Sequence, residues 1–282
     1  MLENIDQEVE QMPHPEILEG TPDSRIVFTF NESLPIALTI SWQWILAKIG
    51  EALIERDARS VIKLLFADVD YARITNNAVE DICSLVRQPV DENALREAAA
   101  HIDSVKELMS EYLHQPPNKP ARLIYIINES SLSLEKLKSL EVLGIGAFMV
   151  ASGFHLALLQ EQAKSDLTKW SSVKDRAIEY SDYAVRVSPK LIELSVGRID
   201  KACQCTKWES SPERVERITE YECRYFDGKD LNIFRDLSLD AVTACNKHRL
   251  QMFYNVTDSI NQTAAQPVRS ACKNWLELAA SI

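Results

Sequence analysis

Glycine and clustered basic charge are what this chain has least of. Its 282 residues include only 7 glycines and 11 prolines, too few turn signals for an all-β protein with a hairpin every few residues, so long helices are expected. The 31 Lys and Arg are outweighed by 42 Asp and Glu, for a net charge of -11. Nucleic-acid affinity is built from clustered cations, so nucleic acid is not an expected partner. No Gly-rich phosphate loop, Gly-x-Ser-x-Gly elbow or His-Glu-x-x-His helix occurs, and Gly144 and Gly146 have no strand before them to make a dinucleotide fingerprint. The acids of DVDYA and NNAVED, among them Asp68, Asp70, Glu80 and Asp81, lack the spacing that would gather magnesium on one helix face and read as a solvated face. The expectation is a protein without catalytic, cofactor-binding or metal residues, not an enzyme.

The 6 cysteines divide into Cys203, Cys205 and Cys223, close in sequence, and Cys83, Cys245 and Cys272, spread out. Cys-x-Cys with no His nearby is not a recognised zinc spacing; a metal site, a disulfide and buried free thiols all stay open. The N-terminus, MLENIDQEVEQMPHPEILEG, lacks both the basic and the apolar region of a secretory signal, so a protein soluble when made is expected. The sequons at Asn31, Asn128, Asn255 and Asn261 then read as chance matches.

What the chain does have is a long uncharged run. Val142 to Leu159, VLGIGAFMVASGFHLALL, holds no formal charge over roughly eighteen residues, close to the length of a helix that spans a bilayer's hydrocarbon core. Everything around it reads as charged amphipathic helix, so this one must be hidden, either at the centre of a bundle or there only until a membrane is at hand. Residues 1–33 form an acidic extension with one alternating piece, RIVFTF; residues 34–282 are expected to be a single all-α domain, a bundle of about seven helices around the apolar one. A helix is expected from Leu34 to about Asp57 with Pro35 in its first turn, then shorter helices broken around Asp68 to Asn77 and stopped by Pro89. Asp91 opens a helix that Pro116 and Pro117 end. The helix from Ala121 leads into the apolar segment through a very short connection near Glu141, which predicts an antiparallel hairpin. A long helix from about Leu167 to Lys201, interrupted at Pro189, a polar cysteine-bearing stretch packed on the outside, a last long helix from Leu231 and a terminal piece around Trp275 follow.

His155 sits in the middle of the apolar run. It reads either as a neutral core residue bonded to a neighbouring helix or as a protonation trigger, since imidazole titrates where gut or endosomal pH varies. Gly144, Gly146, Ala147, Ala151 and Gly153 permit close helix contact in a bundle or in a membrane.

Several local blocks, in their order, carry a family resemblance. ENALREAAAHIDSVKELM, AFMVASGFHLALLQEQ with Phe154, His155 and Leu156 at its centre, EYSDYAVRV with Tyr180, Asp182, Ala184, Val185 and Arg186, and IFRDLSLDAV with Phe234 and Arg235 together resemble the N-terminal helical domain of the insecticidal crystal delta-endotoxins, over roughly residues 35 to 260. The resemblance implies a stand-alone pore-forming toxin whose helical hairpin inserts into a target-cell membrane, with a homo-oligomer in the inserted state and a protein receptor as a further partner. The inserting residues would be Val142, Leu143, Ile145, Phe148, Met149, Val150, Phe154, His155, Leu156, Leu158 and Leu159. Glu129 and Glu135 on the preceding helix would line the pore, because charges at the membrane centre, Lys136 and Lys138 included, cost a few kcal/mol each unless they face water. Tyr180, Asp182, Arg186, Phe234 and Arg235 would be structural, with Asp182 or Arg186 bridging to a neighbouring helix. The other reading is a soluble all-α interaction protein whose apolar helix never leaves the core.

Overall fold

Ser41 opens the first helix by accepting a hydrogen bond from the Trp44 amide at 3.3 Å. The computed structural model describes residues 41–86, 88–114, 120–195, 203–209, 219–226, 231–236 and 240–282, all within one compact unit, Ile40–Ile282. The expected extension 1–33, and the expected start of the first helix at Leu34, lie outside the described residues. Helix α1 (Trp42–Ile54) buries Trp42, Ile45, Leu46, Ile49, Gly50 and Leu53, the stripe that a 3.6-residue period dictates. At its end Arg56 takes a left-handed φ of 57°, which turns the chain so that Asp57 can cap α2 (Ala58–Lys63) through the Ser60 amide.

Helix α2 runs into a π-helical turn, Leu64–Asp68, and α3 (Tyr71–Val86) follows almost at once. The break expected across Asp68 to Asn77 shrinks to Val69 and Asp70, because the Asp70 carboxylate accepts from the Ala72 and Arg73 amides and starts the next helix there. Helix α4 (Glu92–Leu113) is capped by Asp91 through the Ala94 amide at 2.8 Å, as expected. Helix α5 (Pro120–Ser139) begins on a proline, whose missing N–H costs nothing in a first turn.

A 3-10 turn, Glu141–Gly144, joins α5 to α6 (Ile145–Ser165). Glu141 has φ 52°, and a Cβ on Gly144 would come within 2.6 Å of the Leu137 carbonyl, so this reversal demands glycine. Helix α6 is buried all round from Ile145 to Gln160 because α1, α2, α3, α5 and α7 (Trp170–Val187) all pack against it. Close approach is local: a Cβ on Gly153 would stand 2.5 Å from Ile49 Cγ2 of α1, and one on Gly146 would stand 3.2 Å from Ala78 Cβ of α3.

After α7 the chain turns at Ser188 and Pro189 and resumes as helix over 190–195, the interruption expected of the proline. Three antiparallel strands follow, β1 (Cys203–Glu209), β2 (Thr219–Phe226) and β3 (Leu231–Asp236), in the order β1-β2-β3. The final helical stretch therefore starts later than expected. Its first residues, LNIFRD, form β3, and Phe234 and Arg235 lie on that strand rather than on a bundle helix. Helix α8 (Asp240–Ile260) packs on the sheet and continues through a π turn, Asn261–Ala265, into α9 (Gln266–Ala280). Helix α9 buries Trp275 and packs against α7 and α1. The architecture is an all-α bundle around a central apolar helix, with a small sheet between α7 and α8 in the chain; among the described residues eight helices of 13 residues or more stand where about seven were expected.

Candidate membrane-inserting hairpin

The hairpin α5–α6 is built from two helices of different character. Helix α6 is apolar on every side from Ile145 to Leu159, and the stretch Glu141–Ser165 is long and apolar enough to cross a membrane, its most apolar eighteen-residue window being wholly buried here. At ~1.5 Å per residue it reaches the ~30 Å of a hydrocarbon core. All of Val142, Leu143, Ile145, Phe148, Met149, Val150, Phe154, His155, Leu156, Leu158 and Leu159 are buried. The same test is passed by the core helix of an ordinary soluble bundle, so length and composition leave both readings of this segment standing.

His155 is 2% exposed and its Nδ1 lies 2.6 Å from the Tyr180 hydroxyl of α7. With the hydroxyl donating to Nδ1, the imidazole proton sits on Nε2, which has no hydrogen-bond partner among the described residues. Burial, and secondarily the Arg176 guanidinium, push the His155 pKa down to about 3; Glu179 and the Ile127 carbonyl of α5 pull the other way and lose. The imidazole is therefore neutral in the folded bundle. Burial likewise holds the Tyr180 hydroxyl protonated by raising its pKa, and the ring meets Phe148 edge-on at 5.8 Å and Trp275 at 6.5 Å.

Helix α5 turns Leu123, Ile126, Ile127, Leu134 and Leu137 inward together with Ser130 and Ser133. The Ser130 and Ser133 hydroxyls, and Ser152 Oγ and Gln160 Oε1 on α6, find no protein hydrogen-bond partner in the core. A buried polar atom left so costs about 1–3 kcal/mol, a cost carried within the hairpin by the inward-facing hydroxyls of its inner seam.

Toward α4 the helix is pinned by three cross-helix ion pairs on residues one heptad apart: Arg122 with Glu111, Glu129 with His101 at 2.8 Å, and Lys136 with Glu97 at 2.8 Å. Toward α7, Lys138 reaches Glu179 at 3.2 Å and Glu135 at 2.7 Å, while its Nζ stands 5.8 Å from the Tyr183 ring centroid. Burial works against the Glu179 carboxylate, but hydrogen bonds from Arg176 and Lys138 outweigh it and hold its pKa below the ordinary value. Of the two acids expected to line a pore, Glu135 is exposed, whereas the Glu129 side chain is only 14% exposed and committed to α4. Sequence reasoning treated both as free surface charges; for Glu129 the tertiary partner overrides that.

Asp182 and Arg186 are exposed on α7. No ion pair to a neighbouring helix involves either among the described residues; Arg186 instead lies 5.8 Å over the Tyr183 ring of its own helix. Sequence reasoning also passed over the outer face of α5, where Ile124, Tyr125 and Leu132 are 45%, 56% and 52% exposed. They share the exposed side of α5 with Asn128, Glu135 and Ser139. The signal was in the run RLIYII, which is more apolar than a one-sided amphipathic helix needs.

Nothing in this region is arranged for bond-making chemistry. A cleft of about 180 Å³ lies beside the π turn, lined in part by Phe66, Asp70, Tyr71, Lys106 and His114. Its one carboxylate caps α3 and pairs with Lys106 at 2.7 Å, whose hydrogen bond is the main cause of the lowered Asp70 pKa. No group of three or more potential metal ligands occurs among the described residues. Comparison of the chain with models of protein families, with curated proteins and with solved structures finds no match.

Proposed function

We propose that the protein permeabilises membranes: a pore-forming, toxin-like bundle of the delta-endotoxin helical-domain kind, with no enzymatic activity, that acts at a target-cell membrane by inserting the hairpin α5–α6. The observation that carries this reading is the pairing of an uncharged, membrane-length helix with a partner that already exposes Ile124, Tyr125 and Leu132 on its outer side. Exposed large apolar side chains occur on other helices too, so it is their coincidence with the membrane-length partner that the reading uses.

The energetics run in the same direction. In the bundle, α6 is covered by protein; in a bilayer, lipid covers it equally well and its backbone bonds remain internal. The unsatisfied hydroxyls of the inner seam lower the cost of leaving the bundle. Against departure stand the cross-helix ion pairs, of which Glu129 with His101 is the most enclosed. Once in the membrane, α6 would stay toward lipid while Glu129 and Glu135 of α5 stay toward water. That division requires several copies around a common pore. A protein receptor on the target cell is the further partner of this reading.

The test is release of a trapped dye from liposomes by the purified chain across a range of pH. Release that depends on protein concentration supports the proposal. Intact vesicles at every pH, with the protein folded throughout, would establish the alternative, a soluble interaction protein with a permanently buried α6.

A further inference from the structure

The small sheet carries the three cysteines that lie close in sequence on two paired strands. Strands β1 and β2 pair antiparallel with Cys205 directly opposite Cys223, and Cys203 opposite Tyr225. Residues directly opposite on antiparallel strands have Cα atoms about 4.5 Å or 5.5 Å apart, depending on the class of pair. A disulfide needs about 4.4–6.8 Å. Both classes fall inside that window, so the register alone satisfies the distance condition. Opposed residues also share a face of the sheet, as do residues two apart on one strand. Cys203, Cys205 and Cys223 therefore occupy one face, with Cys203 next along β1 from the opposed pair.

The other cysteines are placed differently. Cys83 lies on α3 and Cys272 on α9, both as free thiols, one half-buried and one buried. Burial raises both thiol pKa values, that of Cys272 to about 11, which keeps them unreactive. Cys245 lies on α8.

We propose that Cys205 and Cys223 are a redox pair that closes a cross-strand disulfide between β1 and β2, with Cys203 as the adjacent thiol. The oxidant is a small-molecule disulfide of the glutathione class. One protein thiolate attacks it and forms a mixed disulfide, releasing one small thiol; the second protein thiolate attacks the protein sulfur of that mixed disulfide and releases the other. The two cysteines each lose a hydrogen, their two electrons reduce the oxidant's S–S bond, and the two protons end on the released thiols. The bridge ties β1 to β2, the strands on which α8 rests. Reduction frees that platform by the reverse exchange: a small thiolate attacks one sulfur of the bridge, and a second attacks the small-molecule sulfur of the mixed disulfide so formed, leaving both cysteines as thiols and the two small thiols joined. This inference is independent of membrane activity and stands or falls without it.

The experiment equilibrates the purified full chain in oxidised and in reduced glutathione, quenches with acid, alkylates the free thiols and maps the digested peptides by mass spectrometry. The expected result in oxidised buffer is two fewer alkylated thiols than in reduced buffer, and one crosslinked peptide pair joining Cys205 to Cys223. Cys203→Ser keeps that pair, whereas Cys205→Ser and Cys223→Ser each lose it. Alkylation of both Cys205 and Cys223 after oxidation would overturn the proposal. So would a bridge that runs through Cys203 in the natural sequence, or protection of all three thiols that a zinc chelator abolishes. The mapping of the natural sequence decides the matter even if a serine variant fails to fold.

Discussion

Acid should loosen the bundle through one side chain, His155. In the folded state its pKa is about 3, against an ordinary value of 6.5, and burial is the main cause. The fold favours the neutral imidazole, so the unfolded chain binds the additional proton, and stability that is complete above about pH 6.5 is lost as pH falls toward the folded value. Each pH unit in that window removes about 1.4 kcal/mol. By pH 4 the loss from this residue is roughly 3 kcal/mol, a large share of the ~5–15 kcal/mol that holds a typical domain together. The ring is fully enclosed, so solvent screening does not reduce it. Carboxylates contribute their own acid dependence, which the variant His155→Leu retains; the difference between the two proteins isolates the histidine. The assay is urea unfolding at half-unit pH steps from 7 to 4, for the natural sequence and for His155→Leu. The natural protein should lose stability more steeply below pH 6, with the two curves diverging by roughly 3 kcal/mol at pH 4. Parallel curves would show that His155 is solvated or partnered in a way the Tyr180 contact does not provide, and the reasoning would fail.

Three further predictions follow from contacts described above. A Cβ on Gly153 would lie 3.6 Å from Ile49 Cβ, within the Cβ separation of a disulfide, so the pair Ile49→Cys and Gly153→Cys should lock α6 to α1 and abolish dye release until a reductant is added; undiminished release by the crosslinked protein would show that α6 stays in place. Gly153→Ala alone meets Ile49 Cγ2 at 2.5 Å and should cost about 1–3 kcal/mol, recovered in part by adding Ile49→Leu, which has no Cγ2, as thermal unfolding of the two variants would show. Glu129→Lys should destabilise the soluble protein by about 1–3 kcal/mol, because it faces His101 from a half-enclosed site, whereas Glu135→Lys at an exposed pair should cost under ~0.5 kcal/mol; in planar bilayers both should reduce cation selectivity, and unchanged selectivity in both would remove α5 from the pore wall.

The central helix was legible because a run with no charge admits few fates in a chain this acidic. Asp91 and the prolines after α4 were legible for a similar reason, since capping and helix termination are local. The strands were missed where local chemistry supports two patterns. LNIFRD carries β-favouring Ile and Phe with polar residues between, but it also continues smoothly into the helical residues after it, and the delta-endotoxin pattern tipped the reading toward helix. The π turn at Leu64–Asp68 shows the converse: the acids there suggested a broad break, yet the Asp70 carboxylate restarts the helix within two residues. The role of Glu129 could not be read at all. Its heptad spacing with Arg122 and Lys136 is visible in the sequence, but their partners Glu111, His101 and Glu97 lie on another helix, and only packing sets which charges face one another.

The position of α9 has a consequence for synthesis. Helix α6 ends at Ser165, while the helix that locks α7 against α1 occupies Gln266–Ala280. On the order of a hundred residues must be translated between them, which at ~5–20 residues per second takes ~5–20 s. Throughout that interval the most apolar segment of the chain has left the ribosome without its full cover. Its cover from α1, α2, α3 and α5 is already made while that from α7, held by α9, is not, so slowing translation after α6 should lower the yield of folded protein more than slowing it before.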